Sequence, residues 1–266
     1  MSAAIPRAAL LRVFFRSFFL QAGWNPEGMQ NLGFCYAITP ALTALYPDET
    51  ERRRALERHL DFFNCHPYLA AAILGATIFQ EERVARGELA PDAPAQLKRA
   101  LGPPLAALGD GFFWLGLRPA CALLAALSVP ALGMWSLLVF LGLYNSVHLA
   151  ARAALFFGGV RRGPGVVEWI KQLRIASATS ALKITASLAA GAIAGTAVLA
   201  AFGPRHPLRA LLAAASIGAA TLLSPRLRPL LLLYLALLSG FVFSLLRALA
   251  ASGGVSWWVD LTQRLV

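Results

Sequence analysis

Acidic side chains almost vanish from this 266-residue chain after residue 100, where Asp110, Glu168 and Asp260 stand alone against thirteen Lys/Arg. The first hundred residues are nearly balanced, with eleven Lys/Arg against ten Asp/Glu, so most of the net charge of +11 lies in the second part. Charge of either sign is scarce: 14% of residues are charged, 58% are hydrophobic, and mean hydropathy is +0.62. These values exclude an ordinary soluble domain and point to lipid as the solvent. Lys and Arg are scattered between apolar runs and form no dense stripe with interleaved aromatics, which argues against nucleic acid as a partner. Basic linkers beside apolar runs are what retains loops on the cytoplasmic side of a membrane.

Cysteine is also rare. Cys35, Cys65 and Cys121 are odd in number and lack CxxC spacing, which excludes a disulfide framework and a zinc site. No G-x-S-x-G, no cluster of metal ligands and no Gly-rich phosphate loop with Lys and Ser/Thr is present. The expectation is a chain that binds and moves something without transforming it, and that needs no cofactor and no metal. Signal-peptide grammar is missing as well, since Arg12 and Arg16 interrupt the first apolar stretch, so the amino terminus is expected to stay in the mature protein.

What is present is apolar sequence broken by polar knots. Over residues 10–20, Leu11, Phe14, Phe15, Phe18 and Phe19 share one broad side and Arg12 and Arg16 another, which predicts a basic amphipathic helix in the membrane interface. Residues 31–46 are apolar but short for a span and carry Pro40. Residues 47–63 read as a soluble helix capped by Asp48, with Leu56, Leu60 and Phe63 on its apolar side. Pro67 then precedes a second truncated apolar run, residues 68–79. Two such runs, each with a polar breaker, suggest discontinuous or re-entrant helices beside a cavity. Residues 81–99 read as a polar loop with a short helix. Long apolar runs follow at 131–155 and 184–202, with a weaker one at 208–223, a strong one at 229–249, and an aromatic anchor at Trp257 and Trp258. The architecture expected is all-α: a polytopic helical membrane protein of about four full and three or four broken spans, with an amphipathic helix near its start. A single domain is expected over 1–266, with a motif-bearing region at 10–100 and basic-flanked transmembrane helices at 101–266.

Polar chemistry is concentrated in four places: residues 21–34, Asn64 with His66, Asp110 with Trp114 and Arg118, and Asn145 with His148. Placing an ionisable group in a bilayer costs on the order of 3 kcal/mol by insertion scales, so such groups line a cavity or pair with one another. If the helix of residues 37–45 extends backward, Glu27, Gln30 and Asn31 share one face at its start. Trp24 offers an aromatic face for a sugar ring, while Asn25, Glu27, Gln30, Asn31, Asn64 and His66 offer paired donors and acceptors for hydroxyls. A polar turn between two helices is the plainer reading of residues 21–34, and a mutual ion pair that of Asp110 and Arg118.

Three motifs carry a resemblance. Gln21-Ala-Gly-Trp-Asn-Pro-Glu-Gly-Met-Gln-Asn-Leu-Gly-Phe34, Arg58-His-Leu-Asp-Phe-Phe-Asn-Cys-His-Pro-Tyr68 and Gly109-Asp-Gly-Phe-Phe-Trp114 with Arg118-Pro119 resemble the IID membrane component of the mannose-family phosphotransferase system. The resemblance runs from about residue 10 to about 175. It implies a multi-pass subunit of the bacterial inner membrane that pairs with a IIC subunit, in a higher oligomer of such pairs, to bind and translocate a hexose. Cytoplasmic IIA and IIB proteins would phosphorylate the sugar during uptake, the IID subunit itself being non-catalytic. Trp24, Asn25, Glu27, Gln30, Asn31, Asn64 and His66 would lie near the hexose, and Asp110, Trp114 and Arg118 would hold an interface. Gly28 stands where the family pattern has arginine, Cys65 where it has threonine, and Gly111 where it has proline. Those departures leave a second reading open, a IID-like subunit that tethers or regulates a phosphotransferase relay without transporting.

Overall fold

The computed structural model describes residues 5–202, and helix is the only regular structure there apart from two isolated bridges. The apolar runs at 208–223 and 229–249 and the Trp257/Trp258 anchor lie outside the described residues. The helices are α1 (Arg7–Arg16), α2 (Asn31–Leu45), α3 (Glu49–Glu57), α4 (Ala70–Ala85), α5 (Ala93–Gly109), α6 (Arg118–Leu132), α7 (Ser136–Arg162), α8 (Val166–Gln172) and α9 (Ile175–Phe202). An eight-residue π-helix, Asp110–Leu117, joins α5 to α6.

Helix α1 has the amphipathic character its spacing predicts. Leu11, Phe15, Phe18 and Phe19 remain exposed, while Val13 is buried. Pro40 predicts a break in α2, yet the helix passes through it. A proline at position 40 removes the N–H that would bond the carbonyl of residue 36. Arg16 supplies the missing donor, its Nη1 reaching the Tyr36 carbonyl at 3.3 Å and its guanidinium lying 4.6 Å from the Tyr36 ring. The kink that proline invites is thereby offset by a side chain from the preceding helix.

Asp48 caps α3 as expected, accepting from the Glu51 N–H at 2.9 Å. The apolar side predicted for that helix is only partly realised, because α3 ends at Glu57 and Leu60 is exposed, whereas Phe63 is buried. Helix α4 is buried on every face from Ala70 to Ile78. An apolar run of about 12 residues is too short to span lipid and suits a core helix. It packs most extensively on α7, where Gly75 and Gly159 meet. A Cβ on Gly75 would overlap the Phe156 carbonyl, and one on Gly159 the Ala72 carbonyl, so the two backbones touch only because both residues are glycine.

Residues 81–99 differ from the loop expected. Helix α4 continues to Ala85, α5 begins at Ala93, and Glu81 and Lys98 are buried. Within Ala93–Gln172 the chain is helical, long and apolar enough to cross a membrane, and only 11% of its most apolar window is buried. Leu137, Leu138, Leu141, Leu143 and Leu149 of α7 all face outward. At 27 residues, α7 is about 40 Å long, which exceeds a bilayer's hydrocarbon core.

Candidate functional site

The two polar breaks, 21–31 before α2 and 59–67 before α4, are tied directly to each other. Residues 25–29 close a tight loop through Asn25 N–H to Met29 carbonyl at 3.1 Å and the reverse bond at 2.9 Å, while Asn25 Oδ1 accepts from Gly28 N–H at 2.7 Å. Met29 is held at φ +58, a left-handed conformation that costs a side-chain-bearing residue on the order of 1–3 kcal/mol. The second break stabilises it: Phe63 N–H donates to the Gly28 carbonyl at 3.2 Å, and Gln30 N–H to the Phe63 carbonyl at 2.8 Å. Next to this short ladder the buried Gln30 amide makes a reciprocal pair, its Nε2 donating to the Cys65 carbonyl at 2.9 Å and its Oε1 accepting from Cys65 N–H at 3.1 Å. Gln30 thus substitutes for a peptide unit between two segments 35 residues apart.

Those bonds sort the candidate residues. Glu27 lies outside the helix, since α2 begins at Asn31, so it does not share a helical face with Gln30 and Asn31. Asn31 is engaged internally: its Nδ2 donates to the Leu60 carbonyl at 2.6 Å, and its Oδ1 accepts from Asn25 Nδ2 at 3.0 Å. Asn25, Gln30 and Asn31 build the scaffold. Trp24, Glu27 and Asn64 are exposed, and no side-chain hydrogen bond engages them among the described residues. They are the candidate residues that this scaffold leaves unengaged among the described residues. At Gly28 a Cβ would overlap the Asn31 amide, so the glycine and the Asn31 bonds go together.

His66 is buried in an aromatic cluster instead of facing outward. Its ring stacks on Phe113 at 5.0 Å and 14°, contacts Trp114 at 5.0 Å, and accepts the Tyr68 N–H at Nδ1. Burial, then the Arg152 cation, push its pKa down to about 4, so the imidazole is neutral. Trp114 stays exposed. Among the described residues no ion pair joins Asp110 and Arg118, so the plainer reading of a mutual pair does not hold: Arg118, at the start of α6, is exposed, and Asp110, at the start of the π-helix, is half-buried.

Two groups of polar interactions carry no local sequence signal. The first centres on Glu81, whose carboxylate has no exposed surface and accepts four bonds: from Arg58 Nε at 2.8 Å and Nη2 at 2.7 Å, Tyr46 hydroxyl at 2.7 Å, and His59 Nε2 at 2.9 Å. Four donors saturate a carboxylate. Although burial alone raises its pKa, the Arg58 and His59 bonds prevail and hold it at about 2. His59 is lowered by burial and remains neutral: its Nδ1 has no partner, so a proton there would be a buried, unsatisfied charge. Lys98 completes the group, its Nζ donating to the His59 carbonyl at 3.1 Å over the Phe34 ring. The second centres on buried Arg152 of α7, which donates to the Ser17 carbonyl at 3.1 Å and the Pro67 carbonyl at 3.3 Å, and lies 4.4 Å from the Phe18 ring. One guanidinium therefore anchors the ends of α1 and of the second break to the long helix. Tyr68, stacked on His148 at 4.5 Å, belongs to the same cluster.

Fold and site together define a helical membrane component whose polar groups tie the two breaks to the helices around them. The chain belongs to the PTS system mannose/fructose/sorbose family IID components, whose family model matches residues 4–237. It is 42% identical over 158 residues to the PTS system mannose-specific EIID component of Escherichia coli (strain K12), a match covering 59% of this chain and 56% of that one. The chain therefore spans little more than half the length of that curated relative. It is 32% identical over 190 residues to the Fructose permease IID component of Bacillus subtilis (strain 168), covering 71% and 69%. A chain in the cryo-EM structure of the mannose transporter ManYZ with Microcin E492 (MceA) is similar over 95% of this chain and 98% of its own, at 30% identity and TM-score 0.59. A solved structure described as a membrane protein is similar over 94% and 98%, at 30% identity and TM-score 0.72.

Proposed function

We propose that this chain is the membrane subunit of a mannose-family sugar permease that pairs with a IIC subunit to bind and translocate a hexose. In this reading IIA and IIB proteins phosphorylate the sugar in the cytoplasm, and the chain itself is a non-catalytic, multi-pass component of the bacterial inner membrane. Helices α7 and α9, and α6 together with the π-helix that leads into it, are its spans, while α2 and α4 are short helices set in protein beside the sugar path. The observation that carries the reading is the Gln30–Cys65 amide pair. It holds the two polar breaks together and leaves Trp24, Glu27 and Asn64 free, the residue types that stack on a sugar ring and bond its hydroxyls. The glycosyl ligand is the class these groups favour, because a neutral polyol needs paired donors and acceptors more than a fixed charge.

The test is complementation. Cells deleted for their own IID component receive this chain with a IIC subunit and the IIA and IIB proteins, and uptake of radiolabelled hexose is measured. Uptake that depends on this chain and on the phosphoryl donor supports the proposal. Phosphoryl transfer between IIA and IIB that is altered by the chain while no sugar enters would favour the tethering role that Gly28, Cys65 and Gly111 leave open.

A further inference from the structure

Two clefts flank the carboxyl-terminal turns of α7 and share one ridge. One, of about 450 Å³, lies between α1 and α7 and is walled by Leu10, Leu11, Phe157 and Val160 with Arg7 and Arg161 at its polar edge. The other, of about 410 Å³, lies between α7 and α8 and is walled by Ala153, Ala154, Phe157 and Trp169 with Arg161 and Arg162 at its edge. Phe157 and Arg161 line both, as residues four apart on one helical face must. Arg161 therefore crowns an apolar ridge with an open groove on each side.

Among the described residues no carboxylate neutralises the three guanidinium groups. No carboxylate among the described residues lines either cleft. Among the described residues Arg7 and Arg161 make no ion pair or side-chain hydrogen bond, and Arg162 lies over the Trp169 ring at 4.7 Å. Glu168, the acid nearest in sequence to Arg161 and Arg162, pairs with Lys171 at 2.6 Å, and Glu82, which accepts from the Ile5 N–H at 3.3 Å, pairs with Arg86 at 3.7 Å. The setting is the end of the long apolar helix, and exposed Leu11 of α1 lies beside it. Arg161, Arg162, Lys171 and Arg174 gather at this end, the basic flank that retains a helix end on the cytoplasmic side, where the leaflet is negatively charged.

We infer that this ridge is a binding site for an anionic diacyl phospholipid, its phosphate held by Arg161 between Arg7 and Arg162 and one acyl chain lying in each groove. Two apolar grooves meeting beneath cations that no described carboxylate pairs match that lipid's shape and charge, whereas a free phosphate would leave both grooves empty. The lipid also joins α1 to α8 across α7, which would steady the amphipathic helix on the membrane. This inference rests on the membrane setting and is independent of the sugar-binding proposal.

The experiment uses the full chain, purified in detergent and incubated with vesicles of phosphatidylglycerol or of phosphatidylcholine, with retained lipid counted by native mass spectrometry and thermal stability recorded in parallel. Retention of phosphatidylglycerol over phosphatidylcholine is expected, falling about fivefold in Arg161→Gln and further in the Arg7→Gln/Arg161→Gln double variant. Arg161→Lys keeps the charge and should retain most of the binding, and Arg54→Gln, an exposed change on α3, should alter nothing. Equal retention of the two lipids, undiminished retention in the double variant, or stabilisation by inorganic phosphate as great as by phosphatidylglycerol would overturn the inference. A variant that fails to fold shows itself by lost helical signal, and Arg161→Lys then carries the comparison.

Discussion

Glu81→Gln removes the charge from a carboxylate that accepts four bonds and has no contact with solvent. The variant's amide would present an N–H₂ to donors on Arg58, Tyr46 or His59, leaving Arg58 short of its counter-charge. Breaking a buried pair by removing one partner costs about 3–5 kcal/mol. Removing both ends costs less than the two single losses together, so Glu81→Gln with Arg58→Met should show a coupling energy of about 2–3 kcal/mol. The pH dependence follows from the same group. Glu81 is held at about 2 in the fold against 4.5 when free. Its folded pKa is depressed, so its contribution of about 3 kcal/mol is present above pH 4.5 and is lost as pH falls toward 2. His59 is also depressed, below its usual 6.5, so the unfolded chain gains a proton that the folded one refuses. Stability therefore begins to fall below pH 6.5 and falls again below 4.5. The assay is reversible unfolding of the full chain in mixed micelles, followed by far-UV circular dichroism from pH 7 to pH 3. Glu81→Gln should abolish the lower decline and His59→Gln the upper one. Strictly additive single costs, or a wild-type stability that rises on acidification, would refute the reasoning.

Two further perturbations address the scaffold. Gln30→Ala leaves the buried Cys65 N–H and carbonyl without their side-chain partners, at about 1–3 kcal/mol for each unsatisfied group, so thermal unfolding should occur earlier while Gln30→Glu recovers only part of the loss. Gly159→Leu drives a side chain into the α4 backbone at Ala72, and the expected outcome is loss of folded protein on size-exclusion chromatography, whereas Gly142→Leu on the same helix, with open space around it, is tolerated.

Much of the fold is legible in short-range sequence signals. The spacing of Phe14, Phe15, Phe18 and Phe19 against Arg12 and Arg16 predicts α1, and Asp48 predicts the start of α3, because each depends on neighbours within a turn or two. Pro40 misleads because the donor that offsets it, Arg16, is on another helix. Glu81 reads like the beginning of a polar loop because its partners Tyr46, Arg58 and His59 come from the ends of α2 and α3 and from the second break. At the candidate site, the polar residues are visible in the sequence but their division of labour is not. Gln30 and Asn31 are set apart from Trp24, Glu27 and Asn64 by bonds to backbone groups of a distant segment, and Asn25 by its bonds to Gly28 and Asn31 within the loop. His66 has the chemistry of a hydroxyl-binding residue, and its burial against Phe113 depends on a π-helix that no short-range pattern announces.

The most direct test of the central claim is the concentration dependence of hexose uptake in the complemented strain carrying Glu27→Gln or Asn64→Ala, measured alongside an exposed control, Glu57→Gln. If these side chains bond the sugar, loss of a hydrogen bond to the charged Glu27 should weaken apparent affinity about 10- to 100-fold, and loss of the neutral Asn64 amide several-fold, with subunit levels in the membrane unchanged. Unaltered uptake curves for both variants would contradict the account and remove the joined breaks from the sugar path.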